Sequence, residues 1–474
     1  MNDPNGLVYF DGEYHLFYQY NPYGDTWGHM HWGHAVSRDL IHWEHLPIAL
    51  SEENGVAMYS GSAVVDWKNT SGFGEGGRPP LVAVFTGHHT ERPLQNQRLA
   101  YSNDRGRTWT KFAGNPVLDI GGADFRDPKV FWHEPTRRWI MIVTLAVQRK
   151  VSLYASPDLK QWTHLSDFGP AGSTAGIWEC PDLFPLPVDG DATRVKWVML
   201  LNVNPGAPAG GSGCQYFVGD YDGKRFVASD EETRWLDYGA DFYAAVSWSD
   251  MPKEDGRRII IGWASNWLYG NCVPTSPWRG AMSIPRVLTL KSTSGGTRLV
   301  QQPVAELMTL RKEPALEFSG RFDAAAAWLG RHEGLPERLD MELTFAGVSV
   351  DSCFVLSLHS GEEERTSIIC NAACASLSVD RAQSGLAGFE PSFAARHEMP
   401  LRFEGGELHL RLLLDTSLLE VFAQNGESAL TDLIFPSPGP RRWGLVCNGG
   451  SAPSGVRIAL HALTPAWGGA LHTS

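Results

Sequence analysis

One short motif recurs three times and limits what this chain can fold into more than any other feature. Ser37-Arg38-Asp39-Leu40-Ile41-His42-Trp43 returns as Ser156-Pro157-Asp158-Leu159-Lys160-Gln161-Trp162, and with one extra residue as Ser102-Asn103-Asp104-Arg105-Gly106-Arg107-Thr108-Trp109. Each copy follows a strand-like run, at residues 31–36, 98–101 and 151–154. A Ser/Asp pair caps a turn with its own side-chain oxygens, and the Trp that follows packs back on the hairpin it closes. The same turn at intervals of roughly 55 to 65 residues marks a series of similar sheets. Further strand pairs at 196–203 with 215–220 and at 258–264 with 280–290 extend the pattern, and Asp11-Gly12 is a hairpin signal between 7–10 and 13–20. About five four-stranded units fit into residues 1–300, which reads as a five-bladed β-propeller.

The pattern then changes. A Ser/Gly/Thr turn at 292–297 precedes a short helical segment at 303–312 with Val304, Leu307 and Met308 on one face, so residues 301–314 read as a linker. Beyond it, strand-like runs at 339–345, 353–359, 366–369, 375–379, 408–414, 418–423, 429–435, 444–447 and 456–463 alternate with turns. Trp328 lies in an Ala-rich insertion, and only Trp443 and Trp467 follow it, so this half reads as structural. The expectation is an all-β chain: a five-bladed propeller over 1–300 and a β-sandwich over 315–474.

Composition narrows the function classes. With 53 acidic against 40 basic residues the net charge is −13, which disfavours nucleic acid or an anionic membrane as partner. The longest apolar run, 139–147, is about half a membrane span, and no signal segment opens the chain. The seven cysteines form no Cys-x-x-Cys pair and read as buried, reduced thiols. His29, His31 and His34 interleave along a strand without a fourth ligand nearby, so no metal site is assigned to them and no cofactor is implied. Asp66, Asp250 and the run 362–364 read as solvated turns, and His88-His89 as loop.

Three acids stand in Pro-bounded or aromatic motifs: Asn2-Asp3-Pro4-Asn5-Gly6, Phe125-Arg126-Asp127-Pro128 and Trp178-Glu179-Cys180-Pro181-Asp182. A propeller gathers its innermost strands around one axis, so acids distant in sequence meet there. Pro restricts the residue before it towards extended backbone, which would fix the direction of Asp3 and Asp127. Arg126 beside Asp127 would hold that acid ionised, whereas one flanked by Trp178 and Cys180 is better placed to stay protonated. Two carboxylates across an acetal are the minimum apparatus for glycoside hydrolysis. An Asp-Pro pair is also a common turn, and spacing alone leaves both readings open.

As a set, the motifs resemble glycoside hydrolase family 32, the β-fructosidases: invertases, exo-inulinases and levanases. The resemblance rests on Met1-Asn2-Asp3-Pro4-Asn5-Gly6, Gln19-Tyr20-Asn21-Pro22, Trp32-Gly33-His34-Ala35, Tyr59-Ser60-Gly61-Ser62, Phe125-Arg126-Asp127-Pro128 and Trp178-Glu179-Cys180-Pro181, in the family's order. Residues 412–426, with Asp415, Glu420-Val421-Phe422 and Asn425-Gly426, resemble part of the family's C-terminal sandwich. The resemblance implies a retaining mechanism with Asp3 as nucleophile, Glu179 as general acid/base and Asp127 as transition-state stabiliser. It places Asn2, Gln19, Trp27, Tyr59, Ser60, Arg126 and Trp263 around a terminal fructose. The implied substrate is a fructan, a fructo-oligosaccharide or sucrose, with no cofactor, and secretion or periplasmic export is the family's habit. Segments 210–217, 241–245, 262–267 and 273–283 look more like exo-inulinases and levanases than sucrose-restricted invertases.

The chain departs from the family twice. A Trp normally precedes the first Met, which here is Met1, so one pocket wall would be missing and an α-amino group would lie two residues from Asp3. Tyr59 stands where Phe is usual. Competing readings are a fructosyltransferase on the same site and a non-catalytic fructan-binding homologue. A sialidase is a third, suggested by the turn at 102–109 but lacking any motif for three clustered arginines.

Overall fold

The computed structural model describes residues 1–467 except 362, 404 and 440. Residues 4–50, 56–111, 125–168, 177–228 and 243–303 each form four antiparallel strands in sequential order, which are the five blades. In every blade the first strand is innermost. The ring closes where Ser249 N–H donates to Leu7 O (2.9 Å) and Tyr9 N–H donates to Ser249 O (3.0 Å), joining the fifth blade to the first.

The repeated turn joins the third and fourth strands of the first three blades. In each, the Asp accepts its own Ser hydroxyl, and the Trp indole donates to the carbonyl three residues before it: Leu40 (3.1 Å), Gly106 (3.0 Å) and Leu159 (2.9 Å). That carbonyl residue sits at positive φ every time, +65° at Leu40, +80° at Gly106 and +66° at Leu159. The side-chain caps offset the steric cost of that conformation in the two leucines.

A second regularity positions the site. Each innermost strand breaks register near its start: between Asn5 and Val8, Met58 and Gly61, Arg126 and Lys129, Glu179 and Asp182, and Tyr243 and Val246. Four of these bulges contain a left-handed residue, Gly6 (+53°), Asp127 (+66°), Cys180 (+42°) and Ala244 (+52°). Bulges re-aim side chains, and here they turn them towards one end of the axis. At Gly6 a Cβ would stand 2.7 Å from Phe17 and 2.8 Å from Trp32, so only glycine fits. Asp127 is therefore not in the extended backbone expected before Pro128.

At the other end of the inner strands, two acids read as solvated turns are tied into the fold instead, Asp66 buried and Asp250 half-buried. Asp66 accepts the N–H groups of Thr70 (2.9 Å) and Ser71 (2.7 Å). Asp250 accepts Val65 N–H and Trp67 Nε1, both at 2.9 Å, and burial pushes its carboxyl up to about 6. Glu364 opens a strand and accepts Ser437 N–H (2.7 Å), while Glu362 lies outside the described residues.

Immediately after Pro303 the chain makes a 3-10 helix, Ala305–Leu310. Its buried face is Val304, Leu307 and Leu310, the three-residue period of that helix, whereas Met308 is exposed. The α-helix present among the described residues is Phe322–Arg331, in the Ala-rich stretch, with Phe322, Ala325 and Leu329 against the sandwich core. Two six-stranded sheets follow, packed over Phe345, Phe354, Leu410 and Trp443. Leu316–Gly320, Glu333–Leu335 and Arg396–Pro400 are strands that the sequence reading passed over. All three lie at sheet edges, where short, polar strands are tolerated.

Sandwich and propeller meet through buried charge. Arg286, fully enclosed, donates to Glu420, to Asp237 (2.9 Å), to Gln301 (2.7 Å) and to Thr431 (2.6 Å) between the rings of Phe242 and Phe422. Every polar atom it buries is thus compensated. All seven cysteines are free; Cys180, Cys214 and Cys370 are buried, but Cys272, Cys374 and Cys447 are exposed. No helix among the described residues is long and apolar enough to cross a membrane.

Candidate active site

The bulged starts of the inner strands bring Asp3, Asp127 and Glu179 together. The Cys180 thiol lies 3.6 Å from Asp3 Oδ2 and 3.7 Å from Asp127 Oδ2, so one sulfur spans two carboxylates from different blades. Asp3 also accepts Ser60 Oγ (2.7 Å) and Asn2 Nδ2 (3.0 Å). Asp127 accepts Cys180 N–H (3.0 Å), and its own N–H donates to Thr86 Oγ1 (2.9 Å). Glu179, next in sequence to Cys180, accepts Arg126 Nε at 3.0 Å and the Tyr243 hydroxyl. It is 19% exposed against 6% for Asp127, so of these two acids Glu179 faces the opening.

The electrostatics differ from the sequence reading in one respect. Arg126 reaches Glu179 at 3.0 Å and Asp127 only at 4.0 Å, and its NH1 is held by Asp124 (3.1 Å) and Gln95 (3.4 Å). Arg126 does not keep Asp127 ionised at low pH; burial, aided by Glu179 and Asp3, pushes that carboxyl up to about 7 against the pull of Arg126 and Cys180 N–H. The Asp3 carboxyl is also raised, first by burial and then by the Glu179 charge, against the hydrogen bonds of Ser60, Asn2 and Cys180. Trp178 points away from the acids into the blade core, where its indole donates to Ser173 O (2.9 Å).

Around the acids runs an aromatic wall. Tyr59 stacks on His88 with ring centres 4.5 Å apart, Trp27 stands 6.0 Å from Tyr59 and 6.5 Å from Trp267, and Trp267 lies 4.8 Å from Trp263. Trp27 is exposed and Trp263 is buried, and both line a cleft with Asn2, Asn21, Trp267 and Arg279. Gln19 is enclosed, its Nε2 donating to Met58 O (2.9 Å) while its carbonyl accepts Asn2 N–H (3.1 Å) and its N–H donates to Asp3 O (3.0 Å). The Met1 amino nitrogen donates to Arg279 O (2.7 Å).

Three contributors escaped the sequence reading. Tyr243 lay in a segment quoted only for its likeness to relatives, His88 was taken for loop but lies in the strand Leu81–His89, and the thiol of Cys180 carried no signal. The histidines at 29, 31 and 34 do not converge. His34 pairs with His15 at 3.0 Å, His31 Nδ1 bonds His29 O (2.6 Å), and burial lowers His15 to about 4. Among the described residues no group of three His, Cys, Asp or Glu is arranged to hold a metal ion.

Residues 1–303 match the glycosyl hydrolases family 32 N-terminal domain, and residues 310–461 match the family 32 C-terminal domain. The chain belongs to glycoside hydrolase family 32. A levanase of Bacillus subtilis is 48% identical over 99% of this chain and 69% of its own length. An extracellular exo-inulinase of Aspergillus ficuum is 39% identical over 98% of this chain and 93% of its own. The crystal structure of an exo-inulinase from Aspergillus awamori superposes with a TM-score of 0.90 at 36% identity, covering 98% of this chain and 96% of that one.

Proposed function

We propose that this chain is a retaining exo-β-fructosidase that releases terminal β-D-fructofuranose from fructans and sucrose. The observation that carries the reading is the single Cys180 sulfur between the carboxylates of Asp3 and Asp127, with Glu179 on the adjoining residue. Three acids at one end of a propeller axis, walled by Trp27, Tyr59, Trp263 and Trp267, suit a sugar ring that enters end-on. The similarity to a levanase and an exo-inulinase supports the substrate class.

In the first step Asp3 attacks the anomeric carbon while Glu179 gives its proton to the departing oxygen, leaving a fructosyl ester on Asp3. In the second, Glu179 takes a proton from water, the water oxygen attacks the same carbon and Asp3 leaves as carboxylate. Asp127, held by Cys180 N–H, binds ring hydroxyls and stabilises the oxocarbenium-like transition state. Asn2, Gln19, Ser60 and Arg126 hold the acids in place and present amide, hydroxyl and guanidinium groups to the sugar.

Free fructose released from levan, inulin and sucrose by wild type and Glu179→Gln tests the reading. Release from the polymers by wild type, with loss of at least about a hundredfold in the variant, supports it. Unchanged release by Glu179→Gln overturns it.

A further inference from the structure

Tyr243, which gives its hydroxyl to Glu179, follows a segment that is itself held by the other half of the molecule. Asp241 and Arg381 are both fully enclosed. Arg381, on the sandwich strand Ser376–Gln383, donates NH1 to Asp241 Oδ2 (2.6 Å) and NH2 to Tyr269 Oη (2.9 Å), and Tyr269 donates to Asp241 Oδ1 (2.7 Å). Arg381 is fixed in turn by Phe393 O (2.8 Å) and by the face of the Phe393 ring at 3.9 Å. The sandwich strand Ser428–Leu433 adds two backbone contacts: Leu433 N–H donates to Asp241 Oδ2 (2.8 Å), and Asp241 N–H donates to Thr431 O (3.0 Å). Two residues later Tyr243 gives its hydroxyl to Glu179, immediately before the left-handed Ala244. The short tether leaves little freedom between the anchored carboxylate and the phenol.

We propose that Arg381 of the sandwich is a positioning residue for proton donation: through Asp241 and Tyr269 it fixes the 241–243 segment, and so the Tyr243 hydroxyl, against Glu179. This rests on Glu179 being the acid/base. It gives the sandwich a part in the chemistry of the propeller, beyond covering its flank. The Arg286 cluster joins the same two units but bonds Asp237 and Glu420, neither of which carries a group to the acids.

The test compares Tyr269→Phe, Asp241→Asn and Arg381→Lys with Tyr243→Phe, at a temperature well below each variant's unfolding. Tyr269→Phe removes a single hydroxyl and serves if the charge variants fail to fold. kcat/KM is measured on sucrose, whose leaving oxygen needs a proton, and on an aryl β-fructofuranoside, whose phenolate needs little help. A positioning role lowers kcat/KM on sucrose by about tenfold with a much smaller loss on the aryl donor. In the Tyr243→Phe background, the second substitution then adds no further loss. Arg311→Lys, which touches the buried Asp340 in the sandwich far from this segment, is the matched control for stability and keeps wild-type kinetics. Equal losses on both donors, or losses that add to Tyr243→Phe, overturn the proposal. Glu179→Gln is run alongside: if it loses sucrose turnover while the positioning variants do not, this inference fails and the assigned acid stands. If Glu179→Gln keeps turnover, the assignment itself fails.

Discussion

Ser60 Oγ lies 2.7 Å from Asp3 Oδ2, so the first strand of the second blade donates to the acid at the start of the first. That bond favours the ionised form of a carboxyl that burial and the Glu179 charge push upward. As the proposed nucleophile, Asp3 must be ionised to attack, so activity is expected to fall as pH drops through its titration. Ser60→Ala raises that titration further, because a donor to the charged form is lost. A hydrogen bond to a charged group contributes about 1.5 kcal/mol or more, so the acidic limb of kcat/KM moves up by about one pH unit. An unmoved limb would show that Ser60 does not bear on Asp3.

Much of the fold could be read from the chain, and for a physical reason. The Ser/Asp/Trp turn is local: its caps and indole bond lie within seven or eight residues, so the motif announces the first three blades without any distant contact. The bulges are different. Asp127 adopts positive φ against the preference that Pro128 imposes, because its N–H is taken by Thr86 of the neighbouring blade. Arg126 turns to Glu179, not to its sequence neighbour, for a similar reason: the partner is 53 residues away. Asp66 and Asp250 look like turn residues until the ring closes around them. Local pattern reveals blades; only the closed ring decides which face of each residue meets the axis.

Tyr243 is fully enclosed, and the Glu179 Oε2 oxygen loses its donor in Tyr243→Phe. We expect kcat/KM on sucrose to fall about tenfold to a hundredfold, with circular dichroism unchanged and the thermal midpoint close to wild type, since Phe fills the same space. Steady-state kinetics at saturating and limiting sucrose give the answer, and wild-type values would remove Tyr243 from the site.

Asp127 offers a stability test whose sign is fixed. Its carboxyl titrates near 7 in the fold against 3.8 when unperturbed, so the folded state binds the proton more tightly than the unfolded chain. The cost of ionising it is absent below about pH 4, grows between 4 and 7, and is complete above 7. Asp127→Asn mimics the protonated acid. Chemical denaturation should therefore find the variant more stable than wild type at pH 8 and equal to it at pH 4, while fructose release is lost. A constant difference across that range would contradict the burial argument.

Arg286 neutralises Asp237 and Glu420 in a space closed to water. Arg286→Met leaves both carboxylates buried without a cation, which costs about 3 to 5 kcal/mol. Calorimetry should show a marked fall in the melting temperature, and separation of one transition into two would place that loss at the junction of propeller and sandwich.

The central claim is the division of labour between Asp3 and Glu179, and trapping the intermediate tests it most directly. A Glu179 variant given an activated aryl β-fructofuranoside forms the ester readily but hydrolyses it slowly, because no base activates water. Rapid acid quench and peptide mass mapping should then find one hexosyl unit on the peptide that carries Asp3, and none in Asp3→Asn. A hexosyl unit on any other residue, or none at all while the activated donor is still turned over, would contradict the account.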